Sequence, residues 1–246
     1  MKKIIMCFLL SISLFMVACT NSTKADSKIK LDTSKIEVNA TTIDEVEDLA
    51  SQDVSNTIQS LNDQRDAIAA KITDYNSYQE NVSEIKTYYT KVIHESTSLG
   101  IRLREYAYKY AEIIMKNEDS YSDKYKDLGG IYSAIYDDAG KDMYDIYDDT
   151  LKDMYDTYYN GILKDAYDND DLAYDQWYDV RSDAYDDWYD SRSDVYDIWS
   201  DTRSDVYDFS SDLRSEVYDK DKDRADKIMN KFKKKILRLK EDVNDE

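Results

Sequence analysis

Proline is absent from the 246 residues, glycine occurs five times, cysteine twice and histidine once. A chain with so few turn formers has few places to reverse, so long helices are expected. Sandwiches, barrels and the two-lobed α/β folds of solute-binding proteins need many tight turns and are disfavoured. Cys7 lies in an N-terminal apolar run, and beyond Cys19 no thiol remains to form a disulfide. The lone His94, with no phosphate loop, His-containing metal motif or nucleophile elbow, argues against an enzyme, so neither a cofactor nor a small-molecule substrate is expected. Hydrophobic residues amount to 41%, but tyrosine supplies 24 of them, so the surface available for burial is largely amphipathic ring. The fold class is therefore all-α, built from elongated helices rather than a well-filled globule.

The formal net charge of −20 is unevenly spread. Between Ile131 and Asp219 there are 26 acidic against 7 basic residues, whereas Lys220 to Lys240 carries 10 basic against 3 acidic. Phosphates would be repelled by such a body, which excludes nucleic acid as a partner. The same charge disfavours contact between the acidic part and an anionic membrane.

At the N-terminus, Met1 to Lys3 is positive, Ile4 to Val17 is almost wholly apolar and Ala18 precedes Cys19. This is the three-part layout of a secretory signal. The apolar run is shorter than the roughly 20 residues needed to span a bilayer. Phe15-Met16-Val17-Ala18-Cys19 resembles the lipobox of bacterial lipoproteins, with Met16 where leucine is usual. The resemblance implies cleavage before Cys19, a diacylglycerol on its sulfur with acyl chains such as palmitate, and a body held at the extracytoplasmic face of the cell membrane. Two acyl chains make a stable anchor where one is marginal.

The chain accordingly divides into a signal peptide (1–18), a lipid-anchored flexible tether (19–41), a heptad-type coiled-coil segment (42–116), a turn (117–130), a Tyr/Asp-rich repeat region (131–219) and a basic amphipathic C-terminal helix and tail (220–246). Thr42 and Glu45 form a capping-box pair. From Val54 a 4-3 spacing runs through Ile58, Leu61, Ile68, Ile72, Tyr75, Val82, Tyr89, Ile93, Leu103, Tyr110 and Ile114, a stripe that needs a partner helix. Ser96 to Gly100 is a candidate break, and Gly129-Gly130 suits a reversal.

The most specific signal is an eleven-residue period, clearest over 174–219. It places Tyr174, Tyr185, Tyr196, Tyr207 and Tyr218 in one series, Trp177, Trp188 and Trp199 in a second, and Arg181, Arg192, Arg203 and Arg214 in a third. Eleven residues make three helical turns plus about 20°, so each series returns to one face. Aspartates fall on a second face through Asp175, Asp186, Asp197 and Asp208 and their neighbours. Repulsion along that stripe must be offset by burial of the rings, which predicts a partner surface. Each Arg can stack on a Trp or Tyr four residues before or after it, or reach an acid stripe on a neighbouring helix. A looser copy places Tyr144 and Tyr155 eleven apart, and the next step, across Asn160-Gly161, is twelve. A π-bulge or kink would absorb the extra residue.

The expected function is thus structural or protein-interaction work by a membrane-anchored surface lipoprotein. The membrane lipid is engaged through Cys19, and the aromatic-Arg face serves as a partner or self-association surface. A divalent-cation-binding acidic surface is the alternative.

Overall fold

The computed structural model describes residues 38–169 and 172–245, and every element among them is helical. The signal, Cys19 and most of the tether lie outside the described residues. No helix among the described residues is long and apolar enough to cross a membrane.

Helix α1 (Ile43–Ala69) opens with the anticipated capping box. The Glu45 amide donates to the Thr42 hydroxyl at 3.2 Å, and the Glu45 carboxylate accepts from the Thr41 and Thr42 amides at 2.7 and 3.2 Å. Those donors, the Thr41 amide foremost, hold the Glu45 carboxyl below its ordinary pKa. Helix α2 (Tyr75–Asn117) follows after a short turn and is capped by Asp74, whose carboxylate accepts from the Ser77 amide at 2.8 Å.

The single coiled-coil segment read from the 4-3 stripe is therefore a hairpin of two antiparallel helices. Tyr88 donates to the Leu61 carbonyl at 3.0 Å, Arg102 to Asp53 at 2.5 Å and Tyr110 to Glu47 at 3.1 Å, each contact further along one helix and further back along the other. The stripe covers itself: Val54, Leu61, Tyr89, Leu103 and Ile114 are all buried. Ile72 and Tyr75 continue the 4-3 spacing across the turn, where no glycine or proline marks it.

Ser96 to Gly100 does not break α2. Gly100 instead lies where α2 meets the repeat helix: a Cβ there would stand 2.5 Å from the Thr202 hydroxyl oxygen. Beside it the buried Arg104 donates to the Gly100 carbonyl and the Thr202 hydroxyl, both at 2.9 Å, and to Asp205 at 2.7 Å. Lys235 also pairs with Asp205. Two cations and a hydroxyl thus satisfy the groups taken out of water at this crossing.

Reversal after α2 occurs at 118–120, and Ser120 caps the short α3 (Tyr121–Asp127). Gly129-Gly130 is not the reversal. Gly130 has helical backbone (φ −63°, ψ −27°), and a Cβ on it would overlap the Tyr110 hydroxyl. From 131 to 168 the chain alternates between wide π-helical stretches, Ile131–Ala139, Ile146–Thr150 and Tyr155–Ile162, and short α stretches. The twelve-residue step falls in the third, which takes up the extra residue within a wide turn.

Helix α4 (Tyr174–Tyr218) is unbroken over 45 residues, about 68 Å at 1.5 Å per residue. It runs parallel to α2, as the Lys86–Asp187 and Arg104–Asp205 pairs show, and antiparallel to the π segment. Lys220, with φ at 60°, turns the chain into α5 (Lys222–Asp245). Ala225, Phe232 and Ile236 are the buried positions of α5, and Phe232 stacks on Phe209 of α4 with ring centroids 4.0 Å apart.

Candidate interaction surface

A π turn closes a hydrogen bond to the fifth residue back instead of the fourth, which disturbs the ladder of carbonyl acceptors where α geometry resumes. Gly140, Leu151 and Leu163 stand at the three such junctions, and their amides donate to Ile135, Ile146 and Tyr158, five residues back. The carbonyls of these same three residues receive the indoles of α4. Trp199 donates to Gly140 at 2.8 Å, Trp188 to Leu151 at 2.9 Å and Trp177 to Leu163 at 2.8 Å. Around Gly140 the need is plain: the Met143 and Tyr144 amides bond to Ala139 and Lys141, stepping over the carbonyl between them.

The arginines complete each module. Arg181, Arg192 and Arg203 stack 4.9 to 5.2 Å from the centroid of the Trp four residues earlier. On their other face lies a tyrosine of the π segment, Tyr159 at 4.0 Å, Tyr147 at 3.9 Å and Tyr136 at 4.0 Å. Arg214 has no Trp before it and stacks on Tyr125 alone at 4.5 Å. Arg203 and Arg214 further donate to the Tyr136 and Tyr125 carbonyls at 3.3 and 3.2 Å, whereas the buried Nε of Arg181 and Arg192 has no hydrogen-bond partner. Cation–π contacts of this partly desolvated kind contribute about 0.5–2 kcal/mol each.

The three series therefore have different fates. The indoles and guanidiniums of Trp177, Trp188, Trp199, Arg181, Arg192, Arg203 and Arg214 are engaged by the chain's own π segment. Tyr174, Tyr185, Tyr196 and Tyr207 lie at the seam between the two segments with their outer edges in water, 58, 37, 42 and 47% exposed. Tyr178, Tyr189 and Tyr218 extend the seam and are more than half exposed. The rings form clusters that recur every three turns: Tyr167 with Tyr174, Tyr155 and Tyr159 with Tyr185, Tyr147 with Tyr196, Tyr132 and Tyr136 with Tyr207, and Tyr125 with Tyr218. Tyr125, Tyr136, Tyr147 and Tyr159 are site residues that the eleven-residue reading omits. The spacing of the first three, also eleven, is the signal that points to them.

No family model matches the chain, nor does any curated protein or solved structure. The surface is read from its own chemistry alone. Burial first and a neighbouring tyrosine after it raise the pKa of Tyr144 and Tyr155, while Tyr132 is raised chiefly by the charge of Asp137. Exposed aspartates of α4, among them Asp175, Asp179, Asp190, Asp197 and Asp208, flank the seam. Among the described residues no three His, Cys, Asp or Glu side chains converge to hold a metal ion. His94 is half-buried on α2, outside the seam.

Proposed function

We propose that the chain is a membrane-anchored surface lipoprotein with a structural or interaction role, and that the tyrosine seam is its docking surface for protein partners. The observation that carries this reading is the division of labour within each module. Trp and Arg are spent on fixing the two segments to each other, yet the tyrosines beside them stay half-exposed at regular intervals. Tyrosine offers large contact area at low conformational cost and is enriched where proteins recognise one another. The exposed aspartates of α4 beside it favour a partner surface that carries lysine or arginine. Self-association through the acidic seam alone would bring like charges together, so the seam is assigned to a partner of opposite sign.

Replacing the tryptophans would unfold the scaffold and report nothing about its surface. The test is instead a combined Tyr178→Ser, Tyr189→Ser, Tyr207→Ser and Tyr218→Ser variant, whose helicity and melting should stay close to the parent's. In pull-downs from intact envelopes the parent chain should retain a defined, salt-sensitive set of basic proteins that the variant loses. Identical captured sets for parent and variant refute the assignment. Lipid attachment is tested separately, by whether Cys19→Ser releases the protein from the membrane fraction.

A further inference from the structure

Helix α5 carries its charge on the side that its packing leaves free. Phe232 and Ile236 are buried against the bundle, Lys235 pairs with Asp205, Lys240 with Glu105, and Lys233 lies 5.5 Å above the Tyr108 ring. Lys227, Lys231, Lys234 and Arg238, spaced i, i+4, i+7 and i+11, are exposed and have no acidic partner among the described residues. Such spacing makes one stripe along the outer face of the helix. Leu237 beside it is 48% exposed.

Two further observations place this stripe. Val38 and Asn39, the first described residues, share a groove with Lys233, Ile236 and Leu237, so the chain enters the body alongside α5. Only 18 residues lie between Cys19 and Val38, a covalent reach of at most about 65 Å. Moreover, α5 and the tyrosine seam occupy opposite flanks of α4. Tyr207 meets Tyr132 and Tyr136, whereas Asp205 and Phe209, two residues to either side, meet Lys235 and Phe232.

We infer that the Lys227, Lys231, Lys234 and Arg238 face of α5 rests on the anionic headgroups of the membrane from which the chain emerges. The apolar face of α5 is already committed to the bundle, so the contact is electrostatic and superficial, without insertion. The acidic face of α4 is repelled by the same surface. Attraction on one flank and repulsion on the other orient the body so that the tyrosine seam points away from the bilayer. The inference takes from the lipoprotein reading only which membrane is within reach.

The test uses the chain beginning at residue 19 with Cys19→Ser, so that no lipid contributes. Its partitioning is measured onto vesicles of phosphatidylglycerol and phosphatidylcholine in a 3:7 ratio and onto pure phosphatidylcholine. A basic residue near an anionic surface raises partitioning about fivefold, so four give several hundredfold at low salt. The preference should collapse when salt shortens the screening length to a few Å. Lys227→Gln, Lys231→Gln, Lys234→Gln and Arg238→Gln together should abolish it without changing helicity. Equal binding to both vesicle types, or an unaffected variant, overturns the inference. So does a parent chain that ignores anionic vesicles but dimerises at low salt in sedimentation while the variant does not, which would make the stripe a contact for the acidic face of a second copy. Failure of the anchor would leave these vesicle results unchanged, and failure of the stripe would leave Cys19-dependent attachment unchanged.

Discussion

Replacing Trp199 with Phe should cost more stability than replacing Trp188 with Phe, although Trp188, 8% exposed, is the more deeply covered indole. Counting area alone ranks them the other way. Each substitution removes on the order of 50 Å² of buried ring, about 1 kcal/mol, and slightly more at Trp188. Hydrogen bonding reverses the order. The Leu151 carbonyl also accepts from the Tyr155 amide, so losing the Trp188 donor leaves it partnered at a cost of about 0.5–1.5 kcal/mol. The Gly140 carbonyl is stepped over by the amides that flank it, and Gly140 is itself buried, so losing the Trp199 donor strands an acceptor at about 1–3 kcal/mol. The totals are about 2–4 kcal/mol for Trp199→Phe and about 1.5–2.5 for Trp188→Phe. Urea unfolding followed by circular dichroism, with unchanged m-values, resolves a difference of this size. A Trp188→Phe variant at least as unstable as Trp199→Phe would refute the claim that the indoles serve the π junctions rather than merely filling space.

Three further outcomes are expected. Gly100→Ala should destabilise by about 1–3 kcal/mol despite the better helix propensity of alanine, because the new methyl meets the buried, β-branched Thr202; Gly100→Ala combined with Thr202→Ser should be no better, since the oxygen in the way is retained, and thermal melts that favour either variant over the parent would contradict the close crossing. Tyr158→Phe should stabilise by about 1 kcal/mol, since its buried hydroxyl has no partner and burial pushes its pKa up to about 12; a loss of stability in urea would show that the hydroxyl is satisfied. Stability should rise as pH falls from neutrality towards the carboxylate range. Asp145 and Asp194 have pKa values raised by burial first and by neighbouring aspartates after it, so protonation favours the folded state, and their contribution is lost as pH climbs through those raised values. Below that range the trend should reverse as the caps Glu45 and Asp74, whose pKa values are lowered by hydrogen bonds, take up protons and lose their contribution. A melting temperature that falls steadily from pH 7 to pH 4.5 would contradict the first half of this argument.

Helical class, the opening cap at Thr42 and the face shared by Tyr, Trp and Arg in α4 follow from spacing, because side chains three, four, seven and eleven apart on one helix need no tertiary knowledge to be aligned. The stacking of Arg181, Arg192 and Arg203 on the preceding Trp belongs to the same local class. The hairpin at 70–74 is hidden because Asp74 and Ser77 make a turn out of ordinary polar residues while the apolar spacing runs on through Ile72 and Tyr75. The glycines mislead in a physical way. Gly100 and Gly130 are small because another helix or a tyrosine stands against them, and a missing Cβ looks the same in sequence whether it serves a bend or a contact. The π junctions are visible only at Asn160-Gly161, where an extra residue betrays one. At Gly140 and Leu151 the widening keeps the period at eleven and leaves no mark in the spacing. Which atoms the indoles reach is therefore a fact of pairing between two segments and not of either alone.

Setting one periodic segment against another creates an ambiguity that ordinary helix pairs lack. Sliding α4 by one period along the π segment would return Trp to a junction and Arg to a tyrosine at almost every step, so neighbouring alignments differ little in local contacts. The twelve-residue interval at Tyr155–Ile162 does not remove that degeneracy, because α4 already sets an eleven-residue interval, Trp177 to Trp188, against it. The end of the Trp series does: Ser210 stands where a fourth Trp would fall, and no helix position of α4 precedes Tyr174, so a slide by one period in either direction leaves a junction without its indole. The finite length of the Trp series thus tells a self-similar pair of helices where to stop.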